Sequence, residues 1–346
     1  MMDVEKLFSL PLYGLTQGEK EELFVLMLNE LTEHHRERCA LYRQITDKIP
    51  AEYPLPVRLF KEYDLLSVPE EAVIKTMTSS GTTGQAVSKI YLDRETSLRQ
   101  SKALSKIVSD FIGKTRLPML VVDSNAVLKN RNMFSARGAG ILGFSMLGRG
   151  MTYALDEKME LDLPVLNQFY EKYQGQRVLL FGFTLMIWQY FVKALESAGV
   201  KLDLDGVLIH GGGWKKLKDE AVDNDLFKAR IEEVTGIKEV YNYYGMVEQT
   251  GSIFMECPAG HLHASVFSDV IIRDPLDMSV KSGGKGLIQC NSLLPVSYPG
   301  HRLLTEDEGE ILGIDDCPGR RGKYFNVYGR IKGAEIRGCS DTYERR

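Results

Sequence analysis

No apolar run in the chain approaches the ~18 residues that a membrane-spanning helix needs, so no segment is expected to cross a bilayer. There is no basic excess either. Lys and Arg number 43 against 47 Asp and Glu, a net charge of −4, which offers no positive field to gather nucleic acid. The N-terminus, Met1-Met2-Asp3-Val4-Glu5-Lys6, lacks the basic flank and apolar core of a secretory signal. Cysteine is scarce and odd in number: Cys39, Cys257, Cys290, Cys317 and Cys339, with no C-x-x-C pair. That excludes a disulfide framework and leads us to expect reduced thiols in a cytoplasm. Internal repeats and low-complexity segments are missing as well. With 346 residues, the chain fits one large or two medium α/β domains.

What is present begins with Ser79-Ser80-Gly81-Thr82-Thr83-Gly84, followed five residues later by Lys89. Small residues let a backbone approach phosphate oxygens, hydroxyls donate hydrogen bonds, and a lysine adds positive charge. A Walker A loop needs Gly-Lys followed directly by Ser or Thr, which is lacking here. Residues 72–77 before the run and 87–92 after it read as strands, so the loop tips a hairpin. An ordinary Ser/Thr/Gly turn is the other reading of this segment taken alone.

Residues 15–47 read as helical, and Tyr53-Pro54-Leu55-Pro56 ends that section. Asp93 can cap a helix whose apolar face runs Leu104, Val108, Phe111 and Ile112. A repeated grammar of short apolar strand, glycine turn and helix then sets in. Its strands are 117–122, 177–181 ending at Gly182, 207–210 ending at Gly211-Gly212-Gly213, and 239–244 ending at Gly245. Alternating strands and helices predict a mostly parallel sheet, with ligands beyond the carboxyl ends of its strands. From about 265 the pattern changes to short strands, clearest at 270–272, 286–289 and 309–312, and predicts a small barrel or sheet. The expected division is 1–264 for the α/β part with its helical N-terminus and 265–346 for a β-rich subdomain with its tail. Phe183 and Trp188 are expected to pack a core.

Four further segments carry chemistry. Tyr244-Gly245-Met246-Val247-Glu248 offers one carboxylate at a turn, as needed to hold Mg²⁺ against phosphates. His210-Gly211-Gly212-Gly213-Trp214 gives flat backbone with an aromatic beside it, suited to a purine. Asp307, in Thr305-Glu306-Asp307, can accept two hydrogen bonds from ribose hydroxyls. Gly329-Arg330 supplies a cation. Each has a bland reading as a turn or a solvated charge, and their order after the hairpin loop is the stronger signal.

That order resembles the adenylate-forming superfamily of acyl-CoA synthetases and related ligases. Within it, the chain is most similar to acyl-protein synthetases of the LuxE type, and more distantly to phenylacetate-CoA ligases. Ser135-Ala136-Arg137-Gly138-Ala139-Gly140, Gly182-Phe183-Thr184, Tyr244 to Gly251 and Gly329 to Asp341 carry the closer match. The resemblance implies the large α/β domain of the adenylate-forming fold with a β-rich subdomain. It also implies ATP and Mg²⁺ use, with Ser79 to Lys89 gripping phosphates, Gly211 to Trp214 facing adenine, Glu248 binding Mg²⁺, and Asp307 and Arg330 holding ribose. Two departures stand out. The chain ends soon after Arg330, so the usual lysine-bearing C-terminal domain is expected to be absent. Val247 stands where a threonine is usual.

A carboxylate is a poor electrophile, and adenylation turns it into an acyl donor with AMP as leaving group. By the resemblance, the acceptor is a cysteine near the C-terminus, which points to Cys339 in Arg337-Gly338-Cys339-Ser340-Asp341. Arg337 favours its thiolate. An incidental thiol is the alternative. The expected activity is conversion of a carboxylic acid, fatty by resemblance, to acyl-AMP, then to a thioester and on to a partner such as an acyl reductase. Direct transfer to CoA or an amine is one alternative, and a non-catalytic nucleotide-binding protein another. Finally, Cys257-x3-His261-x-His263 has zinc-like spacing, with Cys317 as a further ligand. Ordinary buried thiols and imidazoles are the competing account.

Overall fold

The computed structural model describes residues 4–50, 52–79, 86–129, 136–214 and 221–331. Contacts divide these into two compact units: one of residues up to 79, 86–107 and from 244 onward, the other of 108–243. Residue 264, the expected boundary, falls inside the first unit.

The N-terminal helical section is α1 (Val4–Ser9), α2 (Gln17–Arg38) and α3 (Ala40–Thr46). The section read as helical over 15–47 thus holds two helices. The break is Cys39, whose extended backbone (φ −116°, ψ 101°) ends α2 without a glycine or proline to announce it. At the start of α2, Thr16 and Glu19 form a reciprocal capping box, which satisfies two of the free amide donors there. A short parallel strand, β1 (Leu55–Pro56), and one turn of helix, α4 (Leu59–Glu62), follow. The predicted hairpin is present as β2 (Lys75–Thr78) and β3 (Lys89–Leu92), in antiparallel register with Thr78 opposite Lys89. Residues 80–84 of its loop lie outside the described residues. Asp93 caps the next helix, α5 (Arg94–Ile112), by accepting from the Thr96 amide at 2.8 Å. The predicted face of Leu104, Val108, Phe111 and Ile112 is buried.

The second unit has the strand–helix grammar that the sequence predicts. Its elements are β4 (Leu117–Ser124), α6 (Ala126–Lys129), α7 (Ala136–Ser145), β5 (Gly148–Leu155), α8 (Leu163–Tyr173), β6 (Val178–Phe183), α9 (Thr184–Ile187), α10 (Lys193–Ala198), β7 (Gly206–Gly211), α11 (Asn224–Thr235) and β8 (Glu239–Tyr244). The strands run in the order β5-β4-β6-β7-β8, and every pairing is parallel. β4, β6 and β7 are buried along their whole length. That is why they read as continuous apolar runs rather than alternating ones. Phe183 and Trp188 are buried, as expected, and Trp188 opens a π-helical turn (Trp188–Val192) between α9 and α10.

The rest of the first unit is β9 (Phe254–Glu256), β10 (Leu262–His263), β11 (Ser268–Arg273), β12 (Gly286–Ser292), β13 (Arg302–Ile314) and β14 (Lys323–Arg330). Their order is β11-β12-β13-β14-β10-β9, all antiparallel, with β1 added parallel on β13. Phe254, Leu262, Val270, Ile272, Ile288, Cys290 and Phe325 fill its core. Among the described residues, no helix is long and apolar enough to cross a membrane.

Candidate functional site

In the first unit, three of the expected residues meet. Asp307 on β13 lies directly opposite Arg330 on β14. Tyr244, at the end of β8, donates its hydroxyl to Asp307 Oδ2 at 2.7 Å. Arg330 Nε stands 3.9 Å from Asp307 Oδ1, and its Nη1 donates to Glu306 at 3.2 Å. The Asp307 amide donates to Thr305 Oγ1, which in turn donates to the Ile288 carbonyl, so the carboxylate is tied into the sheet. Burial and the neighbouring carboxylate push the Tyr244 phenol well above its ordinary value. It is therefore a permanent donor to Asp307. Among these groups, the 21 % exposed Asp307 side chain keeps free acceptor capacity toward solvent.

Glu248 follows in a short 3₁₀ turn, Val247–Gln249, and is buried. Burial pushes its carboxyl above the ordinary range, opposed by the Ser88 hydroxyl and by the positive charges of Lys61 and Arg330. The turn is held by contacts to residues far along the sequence. Gln249 Nε2 donates to the carbonyls of Cys290 (3.0 Å) and Gly300 (2.8 Å), and Tyr298 donates to the Glu248 carbonyl at 2.9 Å. Gly251 has φ +86°, and a Cβ there would sit 2.5 Å from the Gln100 carbonyl oxygen. Gly245 opens the turn as expected.

Lys89 is placed elsewhere in its hairpin. Its ammonium, half exposed, faces Asp64 at 3.5 Å, and Asp64 also accepts from Tyr91 at 2.6 Å. Ser79 is tied to the opposite strand: its amide donates to the Ser88 carbonyl, and its hydroxyl accepts from the Ser88 amide at 2.9 Å. Ser80, Gly81, Thr82, Thr83, Gly84 and Cys339 lie outside the described residues. A cavity of about 610 Å³ in the first unit is lined by His34, Arg38, Ser67, Asp93, Glu95 and Val296, none of them an expected site residue.

In the second unit, the glycine run leaves β7 at Gly211. A Cβ there would meet the Tyr243 ring at 2.6 Å, so glycine lets β7 and β8 pack, and Gly212 turns with φ +79°. Thr184, at the head of α9, clamps this turn. Its hydroxyl contacts His210 Nδ1 (2.9 Å) and the carbonyls of Gly211 and Gly212. Burial, reinforced by Lys228, pushes His210 down to about 3, so the ring is neutral at ordinary pH. Trp214 packs edge-on against Trp188 (5.7 Å) and Phe227 (6.1 Å), and among the described residues nothing lies within 4 Å of where a Cβ on Gly213 would stand. A buried ion pair accompanies them: Arg137 Nη2 to Asp123 Oδ1 at 2.7 Å, at the carboxyl end of β4. Only the fold brings those two residues together.

The third cluster is the cysteine and histidine set. Donor atoms of Cys257, His261 and Cys317 all lie within 4.8 Å of one another. His263 Nε2 is 3.3 Å from Cys317 Sγ.

The family described as acyl-protein synthetase, LuxE, matches residues 4–346. The chain belongs to that family. It is thus an acyl-activating ligase of the adenylate-forming type, as the motif order implied. The chain is also similar to the long-chain-fatty-acid–luciferin-component ligase of Vibrio harveyi, with 23 % identity over 343 residues, 93 % of this chain and 87 % of that protein. Among solved structures, a 2-hydroxyisobutyryl-CoA ligase with 2-HIB-AMP and CoA superposes with a TM-score of 0.68 at 15 % identity, covering 93 % of this chain and 77 % of its own. ATP-bound MatB from Rhodopseudomonas palustris gives 0.50 at 16 % identity, covering 77 % and 49 %. These two establish for the synthetase the adenylate-forming fold.

Proposed function

We propose that the synthetase activates a long-chain fatty acid with ATP and hands the acyl group, through a thioester on Cys339, to a partner acyl reductase in a reducing cytoplasm. The observation that supports the adenylation half most is the Tyr244–Asp307 hydrogen bond at 2.7 Å, set opposite Arg330 in the β13–β14 register. In this reading Asp307 accepts from the ribose hydroxyls, Arg330 adds a cation beside them, and Tyr244 fixes the carboxylate. The hairpin loop Ser79 to Gly84 and Lys89 bind phosphates, with Lys89 leaving its exposed pairing to Asp64. Gly211 to Trp214 face adenine. The Vibrio harveyi relative's fatty acid is carried over to this chain by likeness.

The chemistry balances in two steps. A carboxylate oxygen of the acid attacks the α-phosphorus of ATP, the bond from that phosphorus to the bridging oxygen breaks, and pyrophosphate leaves. The Cys339 thiolate then attacks the acyl carbon, the carbon–oxygen bond to phosphate breaks, and AMP leaves. Positive charge at Lys89 offsets the charge on the phosphates, a demand that is mainly electrostatic. One buried carboxylate whose charge is disfavoured, as at Glu248, suits Mg²⁺, which takes one or two carboxylates together with phosphates and waters. Bound there, Mg²⁺ would supply charge neutralisation and orientation.

A labelled fatty acid, ATP and the Cys339→Ser protein test the route. We expect fatty-acid-dependent pyrophosphate exchange to persist and covalent labelling of the chain to vanish. Undiminished labelling would overturn the cysteine route. Full release of acyl-CoA by the variant on adding CoA would replace it with direct transfer.

A further inference from the structure

We propose that Cys257, His261, His263 and Cys317 bind a structural Zn²⁺ that clamps two neighbouring turns of the first unit. One turn joins β9 to β10, closed by Gly260 (φ +83°), whose amide donates to the Cys257 carbonyl at 2.9 Å. The Cys257 amide in turn donates to the His261 carbonyl at 2.8 Å. The other turn joins β13 to β14 and carries Cys317-Pro318-Gly319-Arg320, with the Arg320 amide donating to the Cys317 carbonyl. β10 pairs antiparallel with β14, His263 opposite Tyr324, so the two turns arrive side by side.

Distances separate this reading from two simpler ones. Two thiolates held tetrahedrally at about 2.3 Å from zinc sit about 3.8 Å apart. Cys257 Sγ and Cys317 Sγ are 3.8 Å apart. A sulfur and an imidazole nitrogen around one zinc sit about 3.5 Å apart. Cys317 Sγ stands 3.9 Å from His261 Nδ1 and 3.3 Å from His263 Nε2, which bracket that value. A disulfide would need the sulfurs at about 2.05 Å. An incidental packing of thiols and rings has no reason to bring donors of Cys257, His261 and Cys317 within 4.8 Å of one another, with His263 next to Cys317 as the fourth ligand to be drawn in.

The ligands are also presented the right way. His261 and His263 are two apart along an extended segment, so both rings leave the same face. Tyr324 stacks on the His261 ring at 4.6 Å and 21°, and tilts against His263 at 5.6 Å, which fixes both orientations. His263 is fully buried and its Nδ1 has no hydrogen-bond partner among the described residues. Two thiolates and two neutral imidazoles cancel the charge of Zn²⁺, so the closed site is tolerated in a largely buried place. No ligand position is left for water, which makes the role structural. The clamp would fix one end of the β13–β14 pair, whose other end sets Asp307 against Arg330.

Metal content decides this without ATP or fatty acid, so the result is independent of the proposed reaction. The chain purified without a metal-affinity tag should carry about one zinc. Cys257→Ser, His261→Ala and Cys317→Ser should each lose most of it, while Cys39→Ser should retain it. Exchange into Co²⁺ should give thiolate-to-metal charge-transfer absorption that Cys317→Ser lacks. Melting curves separate metal loss from misfolding. The proposal is overturned if the wild-type chain holds no zinc after loading and desalting while Cys257 and Cys317 both react with a thiol reagent. It is equally overturned if mass spectrometry finds those cysteines disulfide-bonded, or if the folded variants keep their zinc.

Discussion

Replacing Tyr244 with phenylalanine removes one oxygen from the Asp307 constellation and leaves the ring packing intact. That ring lies 6.0 Å from Phe254 and 6.3 Å from Phe325, contacts the variant keeps. The lost hydrogen bond is to a charged acceptor, a class that contributes about 1.5–3 kcal/mol. Asp307 is 21 % exposed, so water recovers part of this and the stability loss should fall at the low end, about 1.5 kcal/mol. Nucleotide binding should be affected as well, because Asp307 loses the donor that holds its orientation. If an equal share of free energy goes there, KM for ATP rises about 10-fold, since 1.4 kcal/mol is a factor of ten. Fatty-acid-dependent pyrophosphate exchange measures this, with KM for ATP and for the acid determined separately. The acid KM should hold within about twofold. A double-mutant cycle with Asp307→Asn should show that the phenylalanine substitution adds little once the carboxylate is gone. An unchanged KM for ATP in Tyr244→Phe, or fully additive effects in the cycle, would refute the idea that Tyr244 acts through Asp307.

Gly251→Ala forces a Cβ against the Gln100 carbonyl at a positive φ, and should lower stability by at least about 2 kcal/mol in urea denaturation; an unmoved midpoint would contradict it. Glu248→Gln should raise stability while abolishing exchange. The folded-state pKa of Glu248 is raised by burial, so its stabilising protonated form is lost as pH rises through that value, and the glutamine variant's advantage should grow as pH climbs above the ordinary carboxyl value of about 4.3. Melting temperatures that stay parallel across that climb would argue against it. For His210 the sign reverses. Its folded pKa is depressed from 6.5 to about 3, so its stabilisation is complete above 6.5 and drains away as pH falls toward 3. His210→Gln should flatten that acid limb in urea titrations at stepped pH, and an equally steep limb would count against the buried neutral ring.

The parallel sheet was legible because β4, β6 and β7 are buried on both faces and carry apolar side chains without interruption. β5 escaped notice for the opposite reason. It is the edge strand of that sheet, and Arg149, Gly150 and Met151 face solvent, so no apolar run marks it. β14 does alternate, but its Lys323-Tyr324-Phe325-Asn326 start reads as a polar loop until β13 and β10 flank it. Cys39 breaks a helix through backbone conformation alone, which composition cannot signal. At the site, turn residues such as Gly245 and Glu248 were legible from local pattern. Their supports were not, because Gln249 reaches Cys290 across 41 positions and Tyr244 reaches Asp307 across 63.

The β13–β14 pair shows why such supports matter more than motif spelling. Its register shifts between Glu308 and Gly309 and again between Ile311 and Gly313. A shift by one residue flips side chains to the other face of a strand; here the two shifts have opposite sense, so Asp307–Arg330 and Ile314–Lys323 share one register and only the stretch between them is offset. Gly309 is required there, since a Cβ would meet the Asn326 carbonyl at 2.6 Å, and Gly313 likewise admits the Tyr324 hydroxyl at 2.2 Å from where a Cβ would stand. Tyr324 is the residue that stacks on His261. The same side chain that needs the glycine therefore orients the proposed metal ligand. The register of the Asp307–Arg330 pair and the geometry of the cysteine–histidine cluster are thus two ends of one constraint along β14.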